Sequence, residues 1–477
     1  MKKVFALKAY QAIQRRGLTG LLWGLAFMVP FSMGFAQENL DAPGVVASNP
    51  AGGVETLDQA MAQAYLCNPE LEAARANLRQ KDEGVHQAKN EWKPDITGSL
   101  SQTYQRNKPN NADRSVALQK SAGVTVTQNL FEGGATHHRT KAAETNVKAG
   151  RQGLLSAEQT TLFNTIQTFL DVYTKGKILV FLKASEKVLQ STLDETRARY
   201  EVGDVTRTDV AAVEANLAEA AARRVNAEGD LENARANFVK IVGHAPGRLR
   251  FPQPKLTLPG NRQQAVALAL EKNPSLRAAK FDEEAAAHTK QVEFARLLPT
   301  VTATAEASRS FVAQDNGNGQ KNLSVSVSVV VPIYQKGTTH SRIRSAEQQR
   351  AEIISRRKNT WREVVRVMTE AWTRLVSARK SKEQLELQVA ANDLALRGVR
   401  EEYGLGTKSL LDVLQIEEKW RDAQIRLAQA KQEEILATYG VLAVSGELTA
   451  RSLKLNVPYY DPTAYYRKHE HTLVGLE

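Results

Sequence analysis

Cysteine is nearly absent: Cys67 is the single one in 477 residues. No internal disulfide is possible, and its place inside an amphipathic pattern predicts a small packed side chain. Aromatics are also scarce, at 6%. A nucleic-acid protein concentrates basic residues together with aromatics, and no such stripe occurs here. Long apolar runs are missing as well. After the N-terminal segment, no stretch approaches the roughly 18 to 20 apolar residues that a membrane helix needs. If the mature chain enters a membrane, it does so by another device.

Chemistry is missing too. His137-His138 looks like a metal pair, but neighbouring residues on a helix face different ways, so a solvated helix start is expected. Gly133-Gly134 is followed by no Lys-Ser/Thr and reads as a strand-to-helix turn rather than a phosphate cradle. No catalytic residue, cofactor site or metal site is expected. Trp92 and Trp361 fit either interface anchoring or simple packing.

At the N-terminus, Lys2, Lys3, Lys8, Arg15 and Arg16 precede an apolar stretch from Leu18 to Phe31. Gly34-Phe35-Ala36 then offers small residues where a signal peptidase reads. The alternative is a membrane anchor, for which the apolar run is short. Residues 1–36 are expected to be cleaved and the chain exported. The whole chain has 64 basic and 52 acidic residues, a net charge of +12. The five signal charges are all basic, so 59 basic residues remain against 52, interspersed along helical patterns.

What the sequence has in abundance is repetition, the first thing to look for in a long chain. LDQAMAQAYLCNPELEAAR from Leu57 returns as QQAVALALEKNPSLRAAK from Gln263. Asn68-Pro69 aligns with Asn273-Pro274, and Pro94 with Pro299. QNLFEGGATHHRTKAAE from Gln128 returns as VPIYQKGTTHSRIRSAE from Val331. Tyr200, Gly203 and Asp209 align with Tyr403, Gly406 and Asp412. Four matches in one order at nearly one offset mark an internal duplication. Repeat 1 spans 37–245 and repeat 2 spans 263–450. A Gly- and Pro-rich linker at 246–262 joins them, and a tail at 451–477 follows.

Each repeat has the same expected order. A helix covers 56–91 or 263–297. Two strands follow, at about 95–105 and 121–131 or 299–311 and 322–333. A very long helical stretch covers 135–201 or 338–402, and a last helix covers 207–242 or 409–445. The helices are rich in good helix formers, with apolar residues at three- and four-residue spacing, as in Leu182, Val188, Leu189 and Leu193. A 65-residue helix extends on the order of 100 Å, which suits a coiled bundle.

The strands alternate. Leu323, Val325, Val327, Val329 and Val331 interleave with Asn322, Ser324, Ser326 and Ser328. Val301, Ala303, Ala305 and Ala307 interleave with Thr302, Thr304, Glu306 and Ser308. Ile96, Leu100 and Tyr104 oppose Thr97, Ser99, Ser101 and Thr103. Runs of about ten residues suit a tilted transmembrane strand with one lipid and one water face. A soluble sandwich with one wet face shows the same alternation, and taken alone the strands favour it. Export without an apolar helix reverses that preference. Polar loops join the strands, from Arg106 to Lys120 and from Val312 to Lys321. A barrel in lipid has to close, and four strands are fewer than the roughly eight of the smallest bacterial barrels. Closure is then intermolecular, and three chains give twelve strands.

The paired NPEL/NPSL openings, the NLFEGG and PIYQKG strand exits and the turns Tyr200-Glu201-Val202-Gly203 and Tyr403-Gly404-Leu405-Gly406 resemble the TolC family of outer-membrane efflux and secretion channels. The resemblance covers nearly all the mature chain. It implies an α+β membrane protein, a homotrimer with a twelve-stranded β-barrel continued by a long α-helical periplasmic barrel. It places the chain in the outer membrane of a Gram-negative bacterium, in contact with lipid and not with nucleic acid. It also implies two partners, a periplasmic adaptor and an inner-membrane transporter. Pro458-Tyr459-Tyr460-Asp461-Pro462-Thr463-Ala464-Tyr465-Tyr466 resembles the ending of type I secretion members, which export proteins with an ATP-binding-cassette pump. Multidrug efflux is the alternative, and a structural coiled-coil protein of the envelope a lower one.

In this family the inter-helix turns close the periplasmic tip. The matching gate positions are Thr208, Asp209, Tyr403 and Lys408. Lys408 stands where the family pattern has arginine, and lysine lacks the bidentate fork, which implies a looser latch. The family's tunnel constriction maps onto Asp412 and Gln415. A trimer would then carry one ring of three carboxylates. Asp412 also fits a second task, as an acidic group stabilised at a helix N-terminus.

Overall fold

The structure, a computed structural model, describes residues 53–107, 115–252, 257–312 and 319–470. The segment expected to be a signal peptide, 1–36, lies outside the described residues, as do 108–114 and 313–318 in the two strand-joining loops.

A short strand β1 (Val54–Glu55) leads into α1 (Leu57–Cys67) and α2 (Pro69–Asn90). Strands β2 (Asp95–Asn107) and β3 (Ser115–Glu132) follow, then the long α3 (Ala135–Glu201) and α4 (Arg207–Val242). Strand β4 (Arg248–Leu249) pairs parallel with β1, so the linker contributes a strand as well as loop. The order then repeats: α5 (Arg262–Lys272), α6 (Pro274–Ala295), β5 (Thr300–Val312), β6 (Gln320–Val330), α7 (Thr338–Gly404) and α8 (Leu410–Ser445). A one-and-a-half-turn helix, α9 (Ala464–His469), ends the described chain.

Each expected first helix is in fact two. Proline cannot supply the N–H that would continue the ladder, so the chain breaks at Asn68 and Asn273. The Asn68 side chain then caps the new helix, accepting from the Glu70 and Leu71 N–H groups at 3.0 and 3.2 Å. Its amide also donates to the Ile241 carbonyl at 3.0 Å, and Asn273 repeats this on Val444 at 2.9 Å. The Asn-Pro pair is thus a helix stop, a helix start and a tie to the last helix of its own repeat.

Two further boundaries move. β3 begins at Ser115, six residues before the expected start, and β6 ends at Val330 rather than 333, where Pro332 has no ladder N–H. Cys67, expected to be packed, is exposed, and its sulfur accepts from the Gln63 amide at 3.3 Å. Val188 also faces outward, whereas Leu182, Leu189 and Leu193 are buried.

The helices α3 and α7 have 67 residues each, or roughly 100 Å at 1.5 Å per residue. Each lies antiparallel to the 36-residue helix that follows it. The main core gathers where α1, α2, α3, α4 and α8 converge, around Phe169, Phe238, Leu162 and Ile166. The turn after α8, with Leu448 and Ala450, and the start of the tail, with Leu455, seal it. A second core joins α5 to α8 around Met368, Leu375 and Val441.

The tail is held by polar contacts as well. The Tyr460 N–H donates to the Tyr65 hydroxyl at 3.0 Å, and Lys89 donates to the Tyr466 hydroxyl at 2.6 Å. Arg75 lies 5.0 Å from the Tyr65 ring centroid and 5.2 Å from that of Tyr460.

Candidate functional site: a two-faced sheet and a coiled tip

Strands β2, β3, β5 and β6 form one antiparallel sheet in that order. Register partners in such a sheet share a face. One row reads Ile96, Val126, Ala305 and Val325, and the next reads Gly98, Val124, Ala307 and Leu323. The rows between them are polar: Thr97, Thr125, Glu306 and Ser324, then Ser99, Gly123, Ser308 and Asn322. The alternation read in three strands therefore aligns across all four into one apolar and one polar face. The apolar face is bare: Leu100 is 89% exposed and Leu323 78%. Such a surface belongs against lipid.

No helix among the described residues is long and apolar enough to cross a membrane. Aromatics flank the apolar band, with Tyr104 and Phe311 near the loop ends and Trp92, Phe131 and Tyr334 near the helices, all exposed. Trp92 thereby takes an anchoring place. The outer strands β2 and β6 are unpaired on one side, which lipid does not tolerate, so further copies have to complete the sheet.

At the opposite end, the two coils meet near their turns. Leu189, Leu193, Val213 and Ala220 of the first coil bury Leu414 of the second. Three polar rungs join the coils above and below. Arg199 donates to the Tyr403 hydroxyl at 3.2 Å, with its guanidinium 5.5 Å from the ring centroid. Arg223 meets Glu418 at 3.0 Å and Asp422 at 3.5 Å. Gln432 donates to Asp171. Sequence reasoning missed Arg199 because one basic residue in a charged helix carries no signal until the other coil is placed beside it.

Both carboxylates of the candidate tip site serve helix starts. The Asp209 Oδ2 accepts from the Thr206 hydroxyl at 2.7 Å and its N–H at 2.9 Å. The Asp412 Oδ2 does the same with Ser409, at 2.7 and 3.1 Å. These are reciprocal capping boxes. The Thr206 hydroxyl and N–H hold the Asp209 carboxyl below its usual range. The Ser409 hydroxyl and N–H, aided by the positive charge of Lys408, do so for Asp412. Among the described residues, no bond within the protomer joins Thr208 or Asp209 to Tyr403 or Lys408. Thr208, Lys408 and Gln415 are exposed, and Tyr403 is engaged by Arg199.

The His137 and His138 rings meet edge to face, with centroids 5.4 Å apart and planes 77° from parallel. His138 also faces His288 at 3.3 Å between ring nitrogens. No group of three or more potential metal ligands occurs among the described residues.

A duplicated coil-and-strand unit with a two-faced sheet has a family, and the match is direct. Residues 60–244 and 265–447 match the outer membrane efflux protein family. The chain belongs to that family. It is 34% identical to the outer membrane efflux protein BepC of Brucella suis over 91% of this chain and 94% of the relative. It is 25% identical to the outer membrane protein TolC of Escherichia coli, over 81% and 80%. It is 23% identical to the proteases secretion protein PrtF of Dickeya chrysanthemi, over 62% and 66%. In fold it superposes on the Campylobacter jejuni CmeC outer membrane channel with a TM-score of 0.74 at 15% identity, covering 87% and 89%.

The chain is accordingly an outer-membrane channel subunit with a periplasmic helical extension, not an enzyme. Channels of this family are trimers that work with an adaptor and an inner-membrane transporter. Three four-stranded sheets close a twelve-stranded barrel, which resolves the two free edges.

Proposed function

We propose that the trimer is a passive exit duct for type I protein secretion, receiving its cargo from an inner-membrane ATP-binding-cassette transporter through a periplasmic adaptor. The supporting observation is the tail: its Pro458-to-Tyr466 segment resembles that of secretion members. Tyr460 and Tyr466 are bonded to Tyr65 of α1 and Lys89 of α2, so the segment is tied to the first two helices. PrtF, by its name a protease secretion protein, is a relative of matching kind. BepC, by its name an outer membrane efflux protein, supports efflux, and with it the multidrug alternative, as the second reading.

Deleting the gene in its own bacterium separates the two. The secretion reading expects one or a few proteins to vanish from the medium and return on complementation, with drug susceptibility little changed. An unchanged set of secreted proteins with raised drug susceptibility replaces it by the efflux reading.

The same proposal assigns Thr208, Asp209, Tyr403 and Lys408 to the links that hold neighbouring coils together at the closed tip. Asp412, with Gln415 one turn on, forms the ring facing the tunnel axis. Individually weak, wet contacts of this kind suit a gate that a docking partner opens. Residues 37–245 and 263–450 then act as two near-equivalent staves per protomer, joined by 246–262, with 451–477 as a belt.

A further inference from the structure

Each of the four barrel strands carries one basic residue: Arg106 in β2, Lys120 in β3, Arg309 in β5 and Lys321 in β6. All four fall on the apolar face. The three acids of the same strands, Asp95, Glu132 and Glu306, all fall on the polar face. A membrane strand gains nothing from placing its bases towards lipid and its acids towards water unless the lipid side supplies anions.

Three of the bases are neighbours. One register row reads Leu100, Ala122, Arg309 and Lys321, and the next reads Gln102, Lys120 and Phe311. Directly opposed side chains have Cβ atoms about 4.5 to 5.5 Å apart, and diagonal ones lie about 7 to 8 Å apart. Arg309 and Lys321 are thus a like-charged pair held face to face, a destabilising arrangement, with Lys120 on the diagonal. All three are exposed, and among the described residues none has an ion pair. The Arg309 guanidinium lies 4.6 Å from the Phe311 ring centroid, which fixes its direction along the sheet.

Their height is informative. Eight residues separate Lys321 from Val329 at the helix end of β6. At about 3.4 Å per residue and a tilt of about 40°, they span roughly 21 Å of height. That nearly fills the apolar band of about 25 Å and puts the bases at its outer margin. The strands' loop ends point away from the periplasmic coils, so this margin faces the cell exterior, where the outer leaflet carries phosphorylated glycolipid.

We propose that Lys120, Arg309 and Lys321 form a binding site for the phosphate groups of an outer-leaflet glycolipid, repeated three times around the barrel. Arg106, farther along β2, adds to the field. Clustered bases at a membrane margin recognise anionic headgroups, and a guanidinium beside an ammonium suits a phosphate. The acyl chains would lie on the adjoining apolar rows. The inference rests on the outer-membrane placement of the sheet, whose failure would appear separately as lost conductance in planar bilayers.

The test is binding of diphosphoryl lipid A to the purified trimer in detergent, read by native mass spectrometry. Wild type should bind it in preference to fully dephosphorylated lipid A. The triple variant Lys120→Gln/Arg309→Gln/Lys321→Gln should bind about a hundredfold more weakly, since each of the three bases near a membrane surface contributes roughly a fivefold factor. The charge-retaining variant Lys120→Arg/Arg309→Lys/Lys321→Arg should bind like wild type, and conductance should be unchanged in both. Equal binding of the two lipids by wild type, or undiminished binding by the glutamine variant, overturns the proposal. Displacement of lipid A by millimolar inorganic phosphate also overturns it, making the site a free-phosphate site. If the glutamine variant does not assemble, the wild-type comparison of the two lipids decides.

Discussion

Arg199 and Tyr403 occupy the last turns of the two long helices, 204 positions apart, and are joined by a 3.2 Å hydrogen bond reinforced by stacking of the guanidinium on the ring. Tyr200 and Tyr403 sit in equivalent places of the two repeats, yet among the described residues only the second repeat's tyrosine is used in this way. The Arg199 guanidinium also pairs with Glu195 at 2.7 Å, which aims it across the seam. This bond ties one coil to the other within a protomer at the end the family closes.

Removing it should loosen the tip. Tyr403→Phe deletes the hydroxyl and keeps the ring, and Arg199→Ala removes both contacts. A hydrogen bond to a charged group is worth about 1.5 to 3 kcal/mol at most, and less at a wet surface, so folding should survive. Single-channel conductance in planar bilayers should rise in the order wild type, Tyr403→Phe, Arg199→Ala. Identical conductance in all three would show that this rung does not restrain the closed state.

Asp412 holds both a cap and a charge, and the two can be separated. Asn accepts cap hydrogen bonds but is neutral, so Asp412→Asn should fold like wild type and lose block by trivalent cations. The Ser409 bonds hold the Asp412 carboxyl below its ordinary 3.8. A depressed carboxylate keeps its charge as pH falls past the ordinary value and loses it only at the lower one. Wild-type block should therefore persist down to at least about pH 4. Equal block in Asp412→Asn removes the residue from the constriction.

Asp82 should weaken the protein at neutral pH. Its side chain is 1% exposed, and Oδ1 has no hydrogen-bond partner. Burial pushes its carboxyl up to about 6, against a smaller opposing pull from Arg151. The unfolded chain then loses its proton first, so stability falls as pH rises from about 4 to about 6 and stays low above. Two pKa units correspond to about 3 kcal/mol. Asp82→Asn should raise Tm at about pH 7.5 and leave it unchanged at about pH 4, and a rise of the same size at both pH values would contradict the assignment.

Gly446 ends α8 with φ of +85°, and a Cβ there would lie 2.5 Å from the Lys272 carbonyl oxygen. A left-handed L-residue costs about 1 to 2 kcal/mol, and the clash adds to it. Gly446→Ala should lower Tm and trimer yield, whereas Gly134→Ala, also at positive φ but with open space around it, should cost less. Thermal melts of the two side by side check the order.

Much of this was legible from residue patterns. The offset near 205 revealed the duplication, and period-two alternation located three of the four strands. Helix ends were read to within two residues from Gly203, Gly243 and the 409–413 start, because caps and turns are local. The Asn-Pro breaks were misread as continuous helix, since the amphipathic pattern runs through them while the backbone ladder does not. The exposure of Cys67 was misjudged for a related reason: an amphipathic pattern says that a face exists, not which neighbour covers it.

The sequence by itself determined the period of every element, the two-copy plan and the segregation of apolar from polar strand positions, all set by spacings of a few residues along one chain. Tertiary structure alone decided which residues share a row across β2, β3, β5 and β6, that Arg199 reaches Tyr403, and that the strand bases line the lipid face while the acids turn inward. Those facts depend on register and on the approach of segments some 200 residues apart. Hydrogen-bonded pairing and coil packing fix such distances, and no local propensity encodes them.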